Sequence, residues 1–378
     1  MVTKYIPSWY DDEVSALYEL ALGFFEREVV GQHEKWDAQR HIDRSVWLEA
    51  GKLGLLLCSV PAEYGGGGGT FAHDLAVLEA QGYAGDLSLG VGVHSGIVAH
   101  YVLAYGSEEQ KRYWLPLMAS GEVLGAIGMT EPGAGSDLAG LKTKAVMENG
   151  EWVINGQKRF ITNAPTANLF VVFARTRPAD DKGAGIAVFL VPADAPGVEV
   201  GVKDKKMGQE GAWTADVSFT DVRVPDSALV GGSEDHGYRA AMTSLARGRV
   251  HIAALAVGAA QRALDESVAY AATATQGGTP IGDFQLVQAM IADQQTGVLA
   301  GRALVRDTAR KWVTNEDRRI APSAAKLFCT EMAGQVADLA VQIHGGTGYM
   351  REVPVERIYR EVRLLRLYEG TSEIQRLI

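Results

Sequence analysis

Cysteine is scarce in this chain of 378 residues, and its scarcity narrows the kinds of site that the chain can carry. Cys58 and Cys329 are the only two cysteines, and they do not form a C-x-x-C pair. So few cysteines, without a C-x-x-C pair, argue against a disulfide framework and a cysteine-ligated zinc site and fit a reducing cytosol. His344 has no second histidine, cysteine or carboxylate at ligand spacing, so we expect no metal site there.

Acidic residues outnumber basic ones, and the sequence has few long apolar runs. Lysine and arginine number 36 against 46 aspartates and glutamates, which gives a formal net charge of −10. A general nucleic-acid binder needs a basic face, so we expect none. No run of about eighteen apolar residues occurs, and we expect no membrane-spanning helix. The polar, acidic start MVTKYIPSWYDDEV is unlike a signal peptide. The sequence predicts a cytoplasmic protein.

What the sequence does have is a change of pattern along the chain. Apolar residues first recur at spacings of three and four, as in EVSALYELALGFFEREVV, which predicts helices. Strand-like runs such as LFVVFAR follow, and Asn149-Gly150 and Asn155-Gly156 predict two hairpin turns. Long alanine-rich helical patterns then return. We predict a helical domain over residues 1–122, a β-barrel domain over 123–231 and a helical bundle over 232–378.

Two strings in the middle of the chain have the composition of ligand-binding loops. MTEPGAGSD (129–137) combines the hydroxyls of Thr130 and Ser136 with glycines that let backbone N–H groups approach a ligand. A plain turn between domains explains it equally well. In FITN (160–163), Phe160 could lie against a planar ring and Thr162 could bond the edge of that ring. An aromatic residue that ends a core strand is the commoner case.

Two further strings lie near the C-terminus. In QIHGGTGY (342–349) a helical pattern stops at Gly345 and Gly346, and the string need be no more than a helix end. In YEGTSE, Ser372 and Gln375 predict a capping box that begins a helix.

Glu369 precedes this predicted helix, between an apolar stretch and a glycine. We expect Leu367 and Tyr368 to be buried, and Gly370 follows directly. Glutamate usually lies in solvent. A carboxylate held in a dry pocket, however, has a raised pKa, which suits a general base.

Taken together, these strings resemble the acyl-CoA dehydrogenase family over nearly the whole chain. EYGGGGG, TEPGAGSDL, NGQKRFITN, FQLVQAMIAD, AAKLFCTEMAGQVADLAVQIHGGTGY and YEGTSEIQR occur in the family's order and at similar spacing. The resemblance implies an α+β multidomain fold with an N-terminal helical domain, a middle β-barrel and a C-terminal four-helix bundle. It also implies a homotetramer, FAD bound between barrel and bundle, an acyl-CoA substrate, an electron-transfer flavoprotein as acceptor, and a place in fatty acid metabolism.

The resemblance assigns roles to single residues. Glu369 matches the family's catalytic base, which removes the α proton of the thioester. The family's alternative location for that base aligns with Gly248, and Arg249 matches an arginine that supports the base. The implied FAD contacts are Met129, Thr130, Gly135, Ser136, Phe160, Ile161, Thr162, Thr371 and Glu373. The implied contacts to a neighbouring subunit's FAD are Gln276, Gln342, Gly345 and Gly346. The implied substrate contacts are Ser136, Arg249 and Gly370.

One segment departs from the family pattern. Ala274 and Gly277 stand where an arginine and a phenylalanine are expected, while Gln276 and Gly278 remain. A missing guanidinium removes a charge-assisted contact to phosphate, worth about 1.5–3 kcal/mol. Two assemblies stay open: a homotetramer that holds FAD by other contacts, and a heterotetramer in which a paralogous subunit donates the missing ones.

Other activities stay open at this point. An oxidase or a flavin-dependent monooxygenase of the same fold would use O₂ directly, although monooxygenases of this fold generally lack the base. A non-catalytic, DNA-associated relative is disfavoured by Glu369 and by the negative charge. An acyl-carrier-protein substrate is not excluded. The small residues Gly90, Gly92, Ser95 and Gly96 are compatible with a roomy acyl pocket, but the sequence does not fix chain length or branching.

Overall fold

The computed structural model describes residues 11–178 and 185–378. The first part is helical, as predicted. Asp11 caps the first helix by accepting a hydrogen bond from Val14 N at 2.8 Å. Ser107 and Gln110 form a capping box at the seventh helix, with both reciprocal hydrogen bonds present. The helices are α1 (Asp12–Glu28), α2 (His33–Gln39), α3 (Arg44–Lys52), α4 (Phe71–Ala84), α5 (Val91–Val93), α6 (Ala99–Tyr105) and α7 (Glu108–Ala119). A π-helical turn, His94–Val98, joins α5 to α6.

The middle part forms one seven-stranded sheet that makes a half-barrel. The strands are β1 (Gly125–Gly128), β2 (Lys144–Glu148), β3 (Glu151–Thr162), β4 (Leu169–Arg175), β5 (Ile186–Pro192), β6 (Val198–Val200) and β7 (Thr214–Pro225). The order is β1-β4-β2-β3-β7-β6, and β5 pairs with the other edge of β4. β1 runs parallel to β4, whereas the β2–β3, β3–β7, β4–β5 and β6–β7 pairs are antiparallel.

The two Asn-Gly pairs have different outcomes. Asn149 and Gly150 form the β2–β3 hairpin turn with φ of 53° and 87°, as predicted. The prediction of a second hairpin at Asn155-Gly156 was wrong, because this pair lies inside β3 at a register shift against β7. Gly156 is needed there for a close approach, since a Cβ would stand 2.4 Å from Thr143 Oγ1.

The last part is a helical bundle built on one very long helix. Its elements are α8 (Gly237–Thr273), the short strands β8 (Thr275–Gln276) and β9 (Thr279–Pro280), α9 (Gln285–Val313), α10 (Ile320–His344), α11 (Pro354–Arg363) and α12 (Ser372–Leu377). α10 ends where predicted, with Gly345 at φ 58° as its C-cap.

The predicted capping box at the last helix was wrong. The N-cap of α12 is Thr371, whose hydroxyl accepts from Ile374 N at 3.4 Å. Ser372 lies inside the helix, and its hydroxyl donates to Glu331 at 2.6 Å instead. Threonine and serine are both good N-caps, so the sequence alone did not distinguish the two neighbours. The expectation that Leu367 is buried was also wrong, because its side chain is 48% exposed.

The two helical parts share one hydrophobic core, and the sheet has a second. Leu75 of α4, Leu255 of α8 and Val336 of α10 belong to the shared core. Phe170, Phe189 and others from the strands form the second. No helix among the described residues has the length and apolar character needed to cross a membrane.

Two glycines let α4 and α8 approach until their backbones touch. A Cβ at Gly82 would lie 2.2 Å from Leu255 O, and one at Gly258 would lie 2.1 Å from Glu79 O. Since real Cβ atoms do not come this close to a carbonyl oxygen, any side chain at either position would push the helices apart.

We predict that Gly258→Ala lowers the free energy of unfolding by about 1–3 kcal/mol, the usual cost of overpacking a core. Gly23→Ala is the matched control, because Gly23 lies inside α1 with no atom within 4 Å of its added Cβ. That control should be neutral or stabilising, since alanine favours the helix. Urea unfolding of both variants measures the difference, and equal effects would contradict the tight contact.

Candidate active site

Glu369 lies in a strained turn between the 3₁₀ turn Leu364–Arg366 and α12. Glu369 and Gly370 have φ of 56° and 86°, so two consecutive residues are left-handed. This conformation costs a residue with a Cβ on the order of 1–2 kcal/mol. It persists where the surroundings over-determine it, which is typical of functional sites.

Three helices hold this turn by its carbonyl oxygens. Gln375 Nε2, on α12, donates to Glu369 O at 3.1 Å and to Gly370 O at 2.8 Å. Lys326 Nζ, on α10, donates to Gly370 O at 2.7 Å. Arg249 Nε, on α8, lies 3.5 Å from Glu369 O. The backbone of the turn is therefore fixed from three sides.

The Glu369 carboxylate points into the protein, and its Oε2 is buried without a hydrogen-bond partner. A Cβ on Gly248 of α8 would lie 3.1 Å from Oε2 and 3.1 Å from Ile97 Cγ1. The glycine that replaces the family's alternative base therefore leaves room for Glu369. An isolated carboxylate in such a place is free to accept a proton.

Burial and nearby charge set the titration of the site. Burial raises the pKa of Glu369 to about 7, although the positive charges of Arg249 and Lys326 oppose the shift. Burial also lowers the pKa of Lys326 to about 8. A carboxyl group with a pKa near neutrality is matched to the work of a general base.

The loop of residues 129–137 follows β1 and is anchored by its buried residues Glu131 and Ala134. The Glu131 carboxylate accepts from Lys158 Nζ at 2.8 Å and from Thr143 N at 2.9 Å. Arg159 N donates to Thr130 O at 2.8 Å and joins the loop to β3. Beyond this anchor, Gly135 and Ser136 are exposed, and a Cβ on Gly135 would touch nothing within 4 Å. Met129 and Thr130 are half-buried.

Phe160, near the end of β3, is exposed to solvent. Its φ is 59° and its side chain is 61% exposed. The Arg159 guanidinium lies 4.3 Å from its ring centroid. Its neighbours Ile161 and Thr162 are buried and half-buried. An exposed aromatic ring on a strained backbone offers a flat surface for a planar ligand, so the commoner case of a core aromatic does not apply.

Other predicted site residues lie far from Glu369 in the same chain. Gly248 contacts Glu369, and Tyr270 lies 22 residues further along α8, which is about 33 Å at 1.5 Å per residue. Tyr270 stacks on His344 at 4.2 Å, beside Gly345 and Gly346. Gln276 lies in the exposed hairpin that follows α8, and Gln342 is exposed near the end of α10. The residues predicted to serve a neighbour are therefore at the opposite end of the bundle.

The remaining predicted residues, Thr371 and Glu373, directly follow the turn formed by Glu369 and Gly370. Thr371 is the half-buried N-cap of α12, and Glu373 is exposed in its first turn. Among the described residues there is no cluster of three or more side chains that could hold a metal ion.

Lys326 and Gln375 are site residues that sequence reasoning missed. Lys326 is the one charged residue in the apolar run IAPSAAKLFCT, and its side chain is fully buried. That isolated charge is a signal that the sequence contained. Gln375 was assigned to a capping box, so its two hydrogen bonds to the carbonyl oxygens of Glu369 and Gly370 were not expected.

We predict that the stability of the wild-type protein relative to Glu369→Gln falls between pH 4.5 and about 7. The folded-state pKa of Glu369 is raised from 4.5 to about 7, so the stabilising proton is retained at low pH and lost across this interval. Above about pH 7 the difference should level off. Urea unfolding from pH 4.5 to 8.5 measures it. Glu199→Gln, at an exposed position in β6, should run parallel to wild type; a parallel curve for Glu369→Gln would mean that its carboxylate is not desolvated.

Comparison with known proteins identifies the family over most of the chain. Three family models match in order: acyl-CoA dehydrogenase N-terminal domain at residues 11–122, middle domain at 126–222 and C-terminal domain at 235–378. A probable acyl-CoA dehydrogenase of Bacillus subtilis, YngJ, is 40% identical over 97% of this chain and 96% of its own. The long-chain specific mitochondrial acyl-CoA dehydrogenase of Sus scrofa is 37% identical over 97% of this chain and 85% of its own. The crystal structure of an acyl-CoA dehydrogenase from Geobacillus kaustophilus superposes with a TM-score of 0.94 at 36% identity, covering 98% of this chain and 97% of that one. The chain belongs to the acyl-CoA dehydrogenase family of oxidoreductases.

Proposed function

We propose that this chain catalyses the FAD-dependent α,β-dehydrogenation of an acyl-CoA thioester to a trans-2-enoyl-CoA, with Glu369 as the base. The observation that carries the proposal is the buried, unpaired Oε2 of a carboxyl group whose pKa is about 7. No ordinary structural role explains such a group, since buried carboxylates are normally paired.

The residues of this chain fit an FAD cofactor. Phe160 supplies an exposed ring surface, and the open loop at Gly135 and Ser136 lets backbone N–H groups approach the ligand. Bound FAD would supply the acceptor for the β hydrogen, which leaves the substrate as hydride. The residues proposed to hold it are Met129, Thr130, Gly135, Ser136, Phe160, Ile161, Thr162, Thr371 and Glu373.

Glu369 performs the proton transfer in this mechanism. Its carboxylate removes the proton from the α carbon of the thioester and becomes neutral. Its backbone N–H donates to the thioester carbonyl oxygen and stabilises the enolate charge as it forms. Arg249 and Lys326 favour the ionised carboxylate before the proton moves. Ser136 and Gly370 contact the thioester, and the wall of Gly248 and Ile97 keeps water from the base.

The assembly proposed is a homotetramer whose electrons pass to an electron-transfer flavoprotein. Gln276 follows the far end of α8, and Gln342, Gly345 and Gly346 lie in or just after the end of α10 that packs on Tyr270 through His344. Since Tyr270 is about 33 Å along α8 from Gly248, we assign these residues to another subunit's FAD. Large apolar side chains exposed on the bundle would gain stability if another subunit covered them. These side chains include Leu286, Val313, Ile320, Tyr349 and Leu377.

A heterotetramer with a paralogous subunit is the second assembly to test. Ala274 and Gly277 lack the side chains that would reach the phosphates and adenine of a neighbour's FAD. Gln342, Gly345 and Gly346 are retained, which favours the homotetramer. An oxidase or monooxygenase activity would show as rapid reoxidation in air, and Glu369 favours dehydrogenation over it.

We predict that the flavin of the holoenzyme bleaches when it is titrated anaerobically with butanoyl-, octanoyl-, palmitoyl- or isobutyryl-CoA. Glu369→Gln should lower the reduction rate by about 10²–10⁴-fold, the usual contribution of a general base. The wild-type rate should rise with pH through about 7, since only the carboxylate accepts the proton. Stopped-flow absorbance measures both. Glu199→Gln should leave the rate unchanged, whereas undiminished reduction by Glu369→Gln would overturn the assignment.

We predict that the purified chain alone is a tetramer with about one FAD per subunit. Ala274→Arg should slow the loss of flavin by roughly tenfold or more, because it adds a charge-assisted contact to phosphate. Ala272→Arg is the matched control, since Ala272 is exposed two residues earlier on α8. Flavin content after gel filtration measures the effect. A colourless chain that takes up FAD only after a paralogous subunit is added would establish the heterotetramer.

A further inference from the structure

Glu361, on α11, is a buried carboxylate that the proposed mechanism does not use. Its side chain is 4% exposed. Its Oε2 accepts from Leu87 N at 3.0 Å, in the loop of residues 85–90 that joins α4 to α5. Its Oε1 accepts from Gln209 N at 2.7 Å, in the loop of residues 201–213 that joins β6 to β7. One carboxylate therefore joins segments from all three parts of the chain.

The two loops held by this carboxylate converge on Asn163, which directly follows the proposed FAD contact Thr162. In the first loop, a Cβ on Gly90 would lie 2.8 Å from Asn163 Nδ2. In the second loop, Trp213 O accepts from Asn163 N at 2.8 Å. The end of β3, on the flavin side of the proposed site, is therefore held by the same two loops.

Gln209 extends the contact from Glu361 to Tyr368, the residue that precedes Glu369. Gln209 Nε2 donates to Glu361 O at 3.2 Å, so the side chain and the backbone of Gln209 both bond to Glu361. Burial raises the pKa of Tyr368, and the Gln209 side chain, within hydrogen-bonding reach of the phenol, opposes that rise. The loop of residues 201–213 therefore reaches the segment that carries the proposed base.

The groups that face Glu361 carry charges of both signs. Asp86 is 1% exposed, and its Oδ2 accepts from Arg357 Nη1 at 3.3 Å, one turn earlier on α11. Burial and then Asp86 raise the pKa of Glu361, while its two backbone hydrogen bonds and Arg357 oppose the rise. Lys206 and Tyr368 also lie within electrostatic reach of Glu361. Arg357 bonds to Asp86, and the Glu361 oxygens accept from the two backbone N–H groups.

We propose that Glu361 is a positioning residue for the dehydrogenation, and that it sets the separation between the turn formed by Glu369 and Gly370 and the end of β3. The thioester would be held in that space. This inference rests on the proposed function, because it takes Glu369 as the base and the end of β3 as the flavin side. A misplacement of about 1 Å can cost about 10²-fold in rate. A group that fixes this spacing therefore contributes to the reaction without touching the substrate.

Glu361→Gln should loosen three segments at once. The amide keeps the shape of the carboxylate, but one of its two acceptors becomes a donor that cannot accept from a backbone N–H. In the purified full-length chain, amide hydrogen exchange should become roughly threefold to tenfold faster in residues 85–90, 201–213 and 367–371, the effect of losing one hydrogen bond. Mass spectrometry of peptides from these segments measures the exchange, and this measurement does not depend on activity.

The same variant should lower the rate of flavin reduction by saturating acyl-CoA roughly 10–100-fold in the folded holoenzyme. The KM should change little, since Glu361 does not touch the substrate. The midpoint of the pH profile should stay near 7, because burial, Arg249 and Lys326 set the pKa of Glu369. Stopped-flow absorbance across the pH range measures the rate and the midpoint.

Gln209→Ala separates the two steps of the contact. It leaves the backbone N–H of residue 209 bonded to Glu361 and removes only the side chain that reaches Tyr368. Exchange should become faster in residues 367–371 and stay unchanged in residues 85–90, with a smaller loss of rate. This variant also keeps the test available if Glu361→Gln does not fold.

Glu79→Gln is the matched control for a general loss of stability. Glu79 is also 4% exposed, and its Oε1 accepts from Arg302 Nε at 3.0 Å. It lies on α4 opposite Gly258, which is about 15 Å along α8 from Gly248. This variant should lower the free energy of unfolding, but it should leave the reduction rate and the exchange in the three segments unchanged.

The failures of the two proposals would look different. If no thioester reduces the flavin of the wild-type enzyme, the proposed function fails, while the exchange data still decide whether Glu361 joins the three segments. If Glu361→Gln speeds exchange only within α11, or if Glu79→Gln lowers the rate as much, the inference is wrong. A shifted pH midpoint with an undiminished maximal rate would also overturn it, because Glu361 would then act through its charge.

Discussion

The close contact between α4 and α8 is the constraint on which the rest of the structure depends. It exists because Gly82 and Gly258 remove the two side chains that would separate the helices. With α8 pressed against α4, the two helical parts of the chain share one core, and a single long helix connects two distant features. Gly248 borders Glu369 at one end, and Tyr270 packs on His344 at the other end, where the turn at Gly345 lies.

Burial and nearby positive charge have opposite effects on the pKa of Glu369. Removing the Glu369 carboxylate from water disfavours its ionised form, while Arg249 and Lys326 favour it. The pKa of Glu369 is therefore about 7, and neither Arg249 nor Lys326 bonds to its Oε2. Lys326 and Arg249 instead contact the backbone carbonyls of the turn, so they fix its conformation and add positive charge nearby without bonding to Oε2. The strain at Glu369 is sustained by these same contacts.

The sequence predicted much of this architecture, and its failures have physical causes. Hydrophobic periodicity predicted the three parts of the chain. The apolar residues before Glu369, the glycine after it and the family resemblance of YEGTSE pointed to Glu369. The prediction at Asn155-Gly156 was wrong because an Asn-Gly pair occurs not only in hairpin turns. Here the glycine lies inside a strand and allows a close approach to Thr143. Thr371 and Ser372 are adjacent residues of similar capping strength. Asp74, Ser95 and His251 line one internal cavity, which the sequence did not predict because these residues come from three separated segments and only the fold brings them together.

The turn that carries Glu369 also has a consequence for how the enzyme is made. Arg249 and Glu369 are 120 residues apart in the chain, although they meet in the fold. At about 5–20 residues per second, roughly 6–24 s of synthesis separate them on the ribosome. The helical wall formed by α4 and α8 is therefore complete well before its acid arrives. Until α12 emerges and Gln375 bonds the turn, the nascent protein has this scaffold but lacks the proposed base.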